Sequence, residues 1–236
     1  MTSAVESTAF ASVESSALPY DFFREVHKGL RLALFTLTCD LGSTDYERPE
    51  ARAETVRRVS ETVALLQSHH GHEDTFIAPL LEQDHPRLRA IVDAGHAETE
   101  ADLVEIGTLT QRLAEASGSD AVQAGLDLYR FFALFTAQYL AHMALEEGEV
   151  MASLRDTMSV GELFDVDMRL RGAVPPDTMC RFIAVMVPAM NSEERLGMFQ
   201  GMRAGAPAEI FDRFLATALD ALDPDDAGAL TRRLSA

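Results

Sequence analysis

The sequence predicts an all-α fold, an up-down-up-down four-helix bundle with a C-terminal helical extension. Three observations carry this. Four long segments place apolar residues at alternating spacings of three and four, the period of one helix face. Alternating Val/Ile/Thr runs, the mark of half-buried strands, are scarce, while aliphatic residues, Ala, Glu and Arg dominate. Only short breaks separate the four segments, and short connections make consecutive helices antiparallel neighbours. At 236 residues the chain can bury a full core, as one large domain or as one domain with a smaller companion.

Residues 1–18 are small, polar and acidic and read as a flexible tail. They have no basic n-region or apolar h-region, so no secretory signal is expected. The bundle is expected over residues 19–157. Its first helix, about 20–41, sets Phe23, His27, Leu30, Leu34, Leu37 and Leu41 in one stripe, and Gly42, Ser43 and the 45–49 region end it. The second, about 49–81, turns Val56, Val59, Val63, Leu66, His69, Glu73, Phe76, Ile77 and Leu80 inward, with Pro79 in its last turn. The third, about 87–116, carries Val92, His96, Thr99, Leu103, Ile106 and Leu113 on one side. After the turn at 117–119, Ser119 or Asp120 suits the N-cap of a fourth helix, about 121–154. Its inner face reads Leu128, Phe131, Phe135, Tyr139, His142, Glu146 and Val150.

The extension, residues 158–236, differs in character. Gly172, Pro175 and Pro176 break the 161–176 segment, and four shorter helices are expected over about 177–190, 192–204, 207–222 and 224–234. Ser192 with Glu193 and Glu194, Pro207, and Asp223 before Pro224 mark their starts. Most of the ten methionines fall here and read as adaptable core packing.

The formal net charge of −18 argues against docking on nucleic acid or anionic membrane surfaces, since both would be repelled. It reads as a solvated acidic surface, with several carboxylates available to cations. Cys39 and Cys180 are far apart and lack CxxC spacing, so neither a disulfide framework nor a thiolate zinc site is expected, and a reducing cytoplasm fits. No run approaches the ~20 apolar residues of a spanning helix.

The chemistry lies in LLQSHHGHEDTFIAPLL, residues 65–81. His69 and Glu73 are four apart, about 40° around a helix, so imidazole and carboxylate point to one place. QYLAHMALEEGEVM, residues 138–151, repeats the arrangement with His142 and Glu146. Adding the inward His27 and His96 gives six donors on four helices, and the interval from His27 to His69 nearly equals that from His96 to His142. Such pseudo-symmetry suits two metal ions joined by bridging carboxylates. A lone histidine on an apolar face is ordinarily a hydrogen-bonded core residue, and HxxxE alone is often a surface pair. Six such groups buried without a cation would instead cost several kcal/mol each, so the set predicts metal. Imidazole and carboxylate donors without thiolates point to iron first, then manganese, and less to zinc. On spacing alone His70 with Asp74 matches His69 with Glu73, and His72 lies one turn from His69. His70, His72 and His85 are expected to be exposed. Tyr139, one turn before His142, is a second-sphere or redox candidate against the plainer reading of a core aromatic.

EVHKGLR around His27, HHGHEDTFIAPLL from His69, AGHAETEADL around His96 and HMALEEGEVM from His142 together resemble the hemerythrin-like, or HHE cation-binding, family over about residues 20–155. The resemblance places metal ligands at His27, His69, Glu73, His96, His142 and Glu146. It implies a non-haem di-iron centre with an oxo or hydroxo bridge. Two departures matter. Oxygen-carrying hemerythrins have HxxxH on the third helix, where this chain has Glu100 after His96, and they end in HxxxxD, where this chain has His142 followed by Glu146 and Glu147. One imidazole is thus missing, which moves the reading from reversible oxygen carriage towards bacterial hemerythrin-like proteins and iron-sulfur repair proteins, with Glu100 as an extra ligand or second-sphere base.

The expected function is a di-iron protein that binds or reacts with O2, peroxide or nitric oxide in sensing, detoxification or stress response. Three other readings compete. A di-iron oxidase or oxygenase acting on a small organic substrate would need an apolar cavity beside the metals. Iron-sulfur repair by iron donation is disfavoured by the lack of an N-terminal cysteine-bearing segment. A metal-dependent regulatory module would present a methionine-lined surface on the extension, for a protein partner or self-association.

Overall fold

The computed structural model describes residues 19–235, so the tail expected at 1–18 lies outside the described residues. The bundle is built from α1 (Arg24–Ser43), α2 (Pro49–Phe76), α3 (Pro86–Glu115) and α4 (Ser119–Leu145). α4 runs through one π turn (Glu146–Val150) into α5 (Met151–Thr157), and α6 (Val160–Ala173), α7 (Pro176–Ala189), α8 (Ser192–Gly205), α9 (Ala208–Ala221) and α10 (Pro224–Ser235) follow. Among the described residues every regular element is helical, so the fold is all-α. α2, α3 and α7 start on proline, whose fixed φ suits a first turn and whose missing N–H would have no partner there.

Several boundaries differ from the sequence reading for identifiable reasons. α2 ends at Phe76, and Pro79 leaves only a 3₁₀ turn over Ala78–Leu81. The segment expected to be broken at 161–176 contains α6, started by a capping box in which Ser159 Oγ accepts the Glu162 N–H and the Glu162 carboxylate accepts the Ser159 N–H. Neither Ser119 nor Asp120 caps α4 through its side chain; Gly118 holds the cap position. Phe132 is buried where Phe131 was expected, and the inward stripe of α4 is Leu128, Phe132, Phe135, Tyr139 and Met143.

The apolar interior forms two bodies with a polar layer between them. The larger includes Leu30 and Leu34 of α1, Leu66 of α2, Leu103 and Ile106 of α3 and Phe132 of α4. It continues without interruption into Ile183, Val187 and Phe199 of the extension. The smaller closes one end of the bundle with Phe22, Phe23, Ile77, Leu81, Val92, Val150, Met151, Leu154 and Leu163. The π turn inserts one extra residue, so Val150, Met151 and Leu154 can follow Glu146 on the inward side.

The extension meets the bundle through α7, which packs along α1. Gly29 makes this close approach possible, because a Cβ there would lie 2.8 Å from the Met186 backbone. Lys28 reaches across to Glu194 at 2.5 Å. No helix of the described residues is long and apolar enough to cross a membrane.

Candidate metal centre

Up-down topology brings the start of α1, the end of α2, the first half of α3 and the end of α4 to the same end of the bundle. His27, His69, Glu73, His96, His142 and Glu146 therefore converge, and His70 joins them. Two groups form: His27, His69, Glu73 and Glu146 in one, and His70, Glu73, His96 and His142 in the other, with the ligand atoms of each within 4.8 Å of one another. Each glutamate offers one oxygen to each group. Glu73 Oε1 is 3.0 Å from His69 Nε2 and 3.7 Å from His27 Nε2, while its Oε2 is 3.7 Å from His96 Nε2. Glu146 Oε2 is 3.5 Å from His27 Nε2, and its Oε1 is 3.2 Å from His142 Nε2 and 3.4 Å from His96 Nε2.

The donor atoms meet without satisfying one another. Both oxygens of Glu73, Glu146 Oε2, His70 Nε2 and His142 Nε2 are buried with no hydrogen-bond partner. His27 Nε2 and His69 Nε2 face each other at 3.2 Å. Buried carboxylates that lack donors carry a large desolvation cost. Five imidazole nitrogens and two shared carboxylates, with no thiolate, are a donor set able to hold metal. A model for the hemerythrin HHE cation-binding domain matches residues 18–154. The chain belongs to this family. Neither a curated protein nor a solved structure matches it. The HHE domain is a cation-binding domain, and the buried His/Glu cluster of this chain fits that role.

Around the HHE donors, two carboxylates hold imidazoles from behind. Glu147 Oε1 lies 3.0 Å from His27 Nδ1 and also accepts from Arg31 Nη1 at 2.6 Å. Asp74 Oδ1 lies 2.6 Å from His96 Nδ1. A carboxylate on Nδ1 fixes the tautomer and turns Nε2 inward, the usual support for a metal-ligating histidine.

Without metal these charges set the protonation states. Burial works to lower the His27 pKa, but Glu147, Glu73 and Glu146 outweigh it and raise it to about 9. His96 likewise rises to about 9, as Glu146, Glu73 and Asp74 overcome burial. For His70 burial wins: it lowers the pKa to about 3 against the charge of Glu73, with the neighbouring imidazoles acting in the same direction as burial. Burial would raise Glu73 and Glu146, yet the imidazoles hold both below the usual carboxylate range.

Four expectations are corrected. His70 is buried and stacks on His96 at 4.7 Å and on Tyr139 at 5.2 Å between ring centroids. One residue is about 100° of helix, so His69 faces α1 while His70 faces α3 and α4; the two are not alternatives. His72 and His85 are half-buried rather than exposed, and neither belongs to the cluster. Glu100 is exposed and does not approach the donors. It sits about 40° from His96 on the side away from Thr99, and the inward stripe of α3 runs through Thr99. Asp74 is absent from both donor groups and supports His96 instead.

Tyr139 is 1% exposed, and its hydroxyl has no hydrogen-bond partner. Burial, followed by the charges of Glu73 and Glu146, pushes its pKa well above the usual phenol value. Gly95 keeps α3 out of the way of His142, since a Cβ there would lie 3.0 Å from His142 Nδ1.

Proposed function

We propose that the chain is a non-haem di-iron protein that binds or reacts with a small diatomic or peroxide, in sensing, detoxification or stress response. One observation carries the reading: five imidazoles and two shared carboxylates converge in two groups between apolar layers. His27 and His69 would hold one ion and His70, His96 and His142 the other, with Glu73 and Glu146 spanning both. Manganese suits the same donors. Iron held there supplies electrons for chemistry with O2, peroxide or nitric oxide.

The protein's own part is positioning and exclusion. Phe22, Phe23, Ile77 and Met151 close the bundle end and keep bulk water from the donors. Glu147 and Asp74 keep His27 and His96 aimed inward by accepting hydrogen bonds from their Nδ1–H groups. The first group offers two imidazoles and the second three.

The oxidase and iron-donation readings gain less support, whereas a groove bearing Met158 and Met168 is the feature a regulatory module would show. One surface groove, of about 550 Å³, runs along Leu80, Met158, Glu162 and Met168, and a second runs between α2 and α3 along Val59 and Thr110; no metal-donor residue lines either. Cys39 and Cys180 are both unpaired, which suits a reducing cytoplasm.

The test is anaerobic reconstitution with ferrous iron, metal analysis, then stopped-flow mixing with O2, peroxide and nitric oxide. About two iron ions per chain are expected from the two donor groups, with near-ultraviolet absorption after aeration and a rapid response to at least one of the three molecules. Purified protein that takes up neither iron nor manganese after reconstitution refutes the reading.

A further inference from the structure

One buried polar side chain that packs directly on the imidazoles of the cluster has no use in the metal reading. Tyr139 lies one turn before His142 on α4, stacks on His70 at 5.2 Å and lies 6.0 Å from the His142 ring. Phe135 packs behind it at 5.5 Å, and the ring is walled in. A tyrosine kept this deep ordinarily finds a partner for its hydroxyl, because an unmade hydrogen bond on a buried donor is costly. Thr38 and Thr136, the polar pair nearest along α1 and α4, bond to each other. The carboxylate oxygens of Glu73 and Glu146 act on the phenol electrostatically, yet none accepts from it. A phenylalanine would fill the same space with no orphaned oxygen.

Resting on the di-iron reading, we propose that Tyr139 is a specificity-determining residue whose hydroxyl donates a hydrogen bond to a small acceptor ligand, a diatomic or a short anion, entering beside the shared carboxylates. Among the described residues the phenol is the one buried O–H group without a hydrogen-bond partner, and it stands against the imidazoles of His70 and His142. A fixed donor in a water-poor site favours ligands with an exposed acceptor atom over those without one, because only the former satisfy it. Tyr139 thus selects among ligands without holding the metal, and the metal content should not depend on its hydroxyl.

The experiment compares the wild-type full chain and Tyr139→Phe, each loaded with iron, by spectroscopic titration with azide, alongside metal analysis and melting of the metal-free proteins. Tyr139→Phe should keep the wild-type iron content and melt at or above the wild-type temperature when metal-free. It should bind azide roughly tenfold more weakly, the value of one hydrogen bond of about 1.4 kcal/mol. Azide affinity within about twofold of wild type at equal iron content overturns the proposal. Iron loss from a folded Tyr139→Phe also overturns it, since the phenol would then be holding the metal. A lower melting temperature of the metal-free variant does the same, by showing that the hydroxyl has a partner within the protein. Iron-loaded wild type that takes up no azide overturns this inference alone, whereas wild type that takes up no iron overturns the di-iron reading beneath it.

Discussion

His70→Ala is the sharpest perturbation of the metal centre. It removes one of the three imidazoles of the second donor group while leaving His69, His72 and the helix around them in place. Burial holds His70 near a pKa of about 3, so at neutral pH its lone pair is free and no proton has to be displaced. Removing a residue that merely orients a metal-bound histidine typically costs ~10–100-fold in affinity. Losing the donor itself should cost at least the upper end of that range, ~100-fold or about 2.7 kcal/mol, at one of the two ions. The metal-free protein should respond far less. The lost ring packing is opposed by removal of a buried nitrogen without a partner, each about 1–3 kcal/mol. Ferrous affinity by chelator competition, iron content and metal-free melting should be measured for wild type, His70→Ala and His72→Ala. His70→Ala should retain one ion firmly at most, and His72→Ala should match wild type. If His70→Ala keeps two ions at wild-type affinity, or His72→Ala loses as much, the assignment of His70 to the second group is wrong.

Other perturbations read other parts of the structure. Glu147→Gln leaves every donor of the first group in place but weakens the support of His27 Nδ1, so metal affinity should fall ~10-fold with little change in metal-free folding; chelator competition reads it. His142→Ala should deplete metal far more than His85→Ala, which lies outside the cluster, and equal losses by metal analysis would contradict the grouping. Gly29→Ala puts a methyl 2.8 Å from the Met186 backbone and should destabilise by about 1–3 kcal/mol in denaturant titration, by forcing α7 off α1. Metal-free stability should peak near pH 6.5. His27 and His96, raised in the folded state to about 9, lend stability that is full below about 6.5 and lost as pH rises towards 9. His70, lowered to about 3, weakens folding as pH falls from about 6.5 towards 3. Each group changes stability by at most ~1.4 kcal/mol per pH unit, so denaturant midpoints between pH 5 and 8.5 should pass through a maximum rather than drift one way.

What could be read from the sequence depended on how wide each helix's buried face is. On α1 and α3 the histidines stand in line with Leu30 and Leu34 and with Thr99, Leu103 and Ile106, so a period of three and four is enough to place His27 and His96. α2 packs against α1 on one flank and α3 on the other, and its buried residues come in neighbouring pairs, Leu65 with Leu66 and His69 with His70. A single-stripe reading discards one member of each pair, although the doubled residues four apart were a visible signal. Gly172, Pro175 and Pro176 mark only the end of α6, and the signal for its start is the Ser159-to-Glu162 capping box. The π turn had no local residue signature, and its effect appears only in the burial of Val150, Met151 and Leu154.

The same doubling explains how the centre is completed. Glu146 points between the donor groups, and Glu147, about 100° further round the helix, lies on the flank facing α1, where Thr136 also meets Thr38. The second member of the glutamate pair supports His27, and the second member of the histidine pair supplies the imidazole that α3 lacks at Glu100. Replacing that position with a carboxylate therefore does not leave a poorer donor set, since five imidazoles are still present and Glu100 is turned to solvent. The sequence-based objection to binding a diatomic reversibly, that one imidazole is missing, loses its premise. What distinguishes this site is where the fifth imidazole comes from. In the proposed di-metal centre His69 and His70 would tie both ions to α2, so displacement of α2 would disturb both ions together, whereas displacement of α3 would reach the second ion alone, through His96. Metal loss from variants that loosen α2 should accordingly be concerted, and loss from those that loosen α3 should proceed one ion at a time.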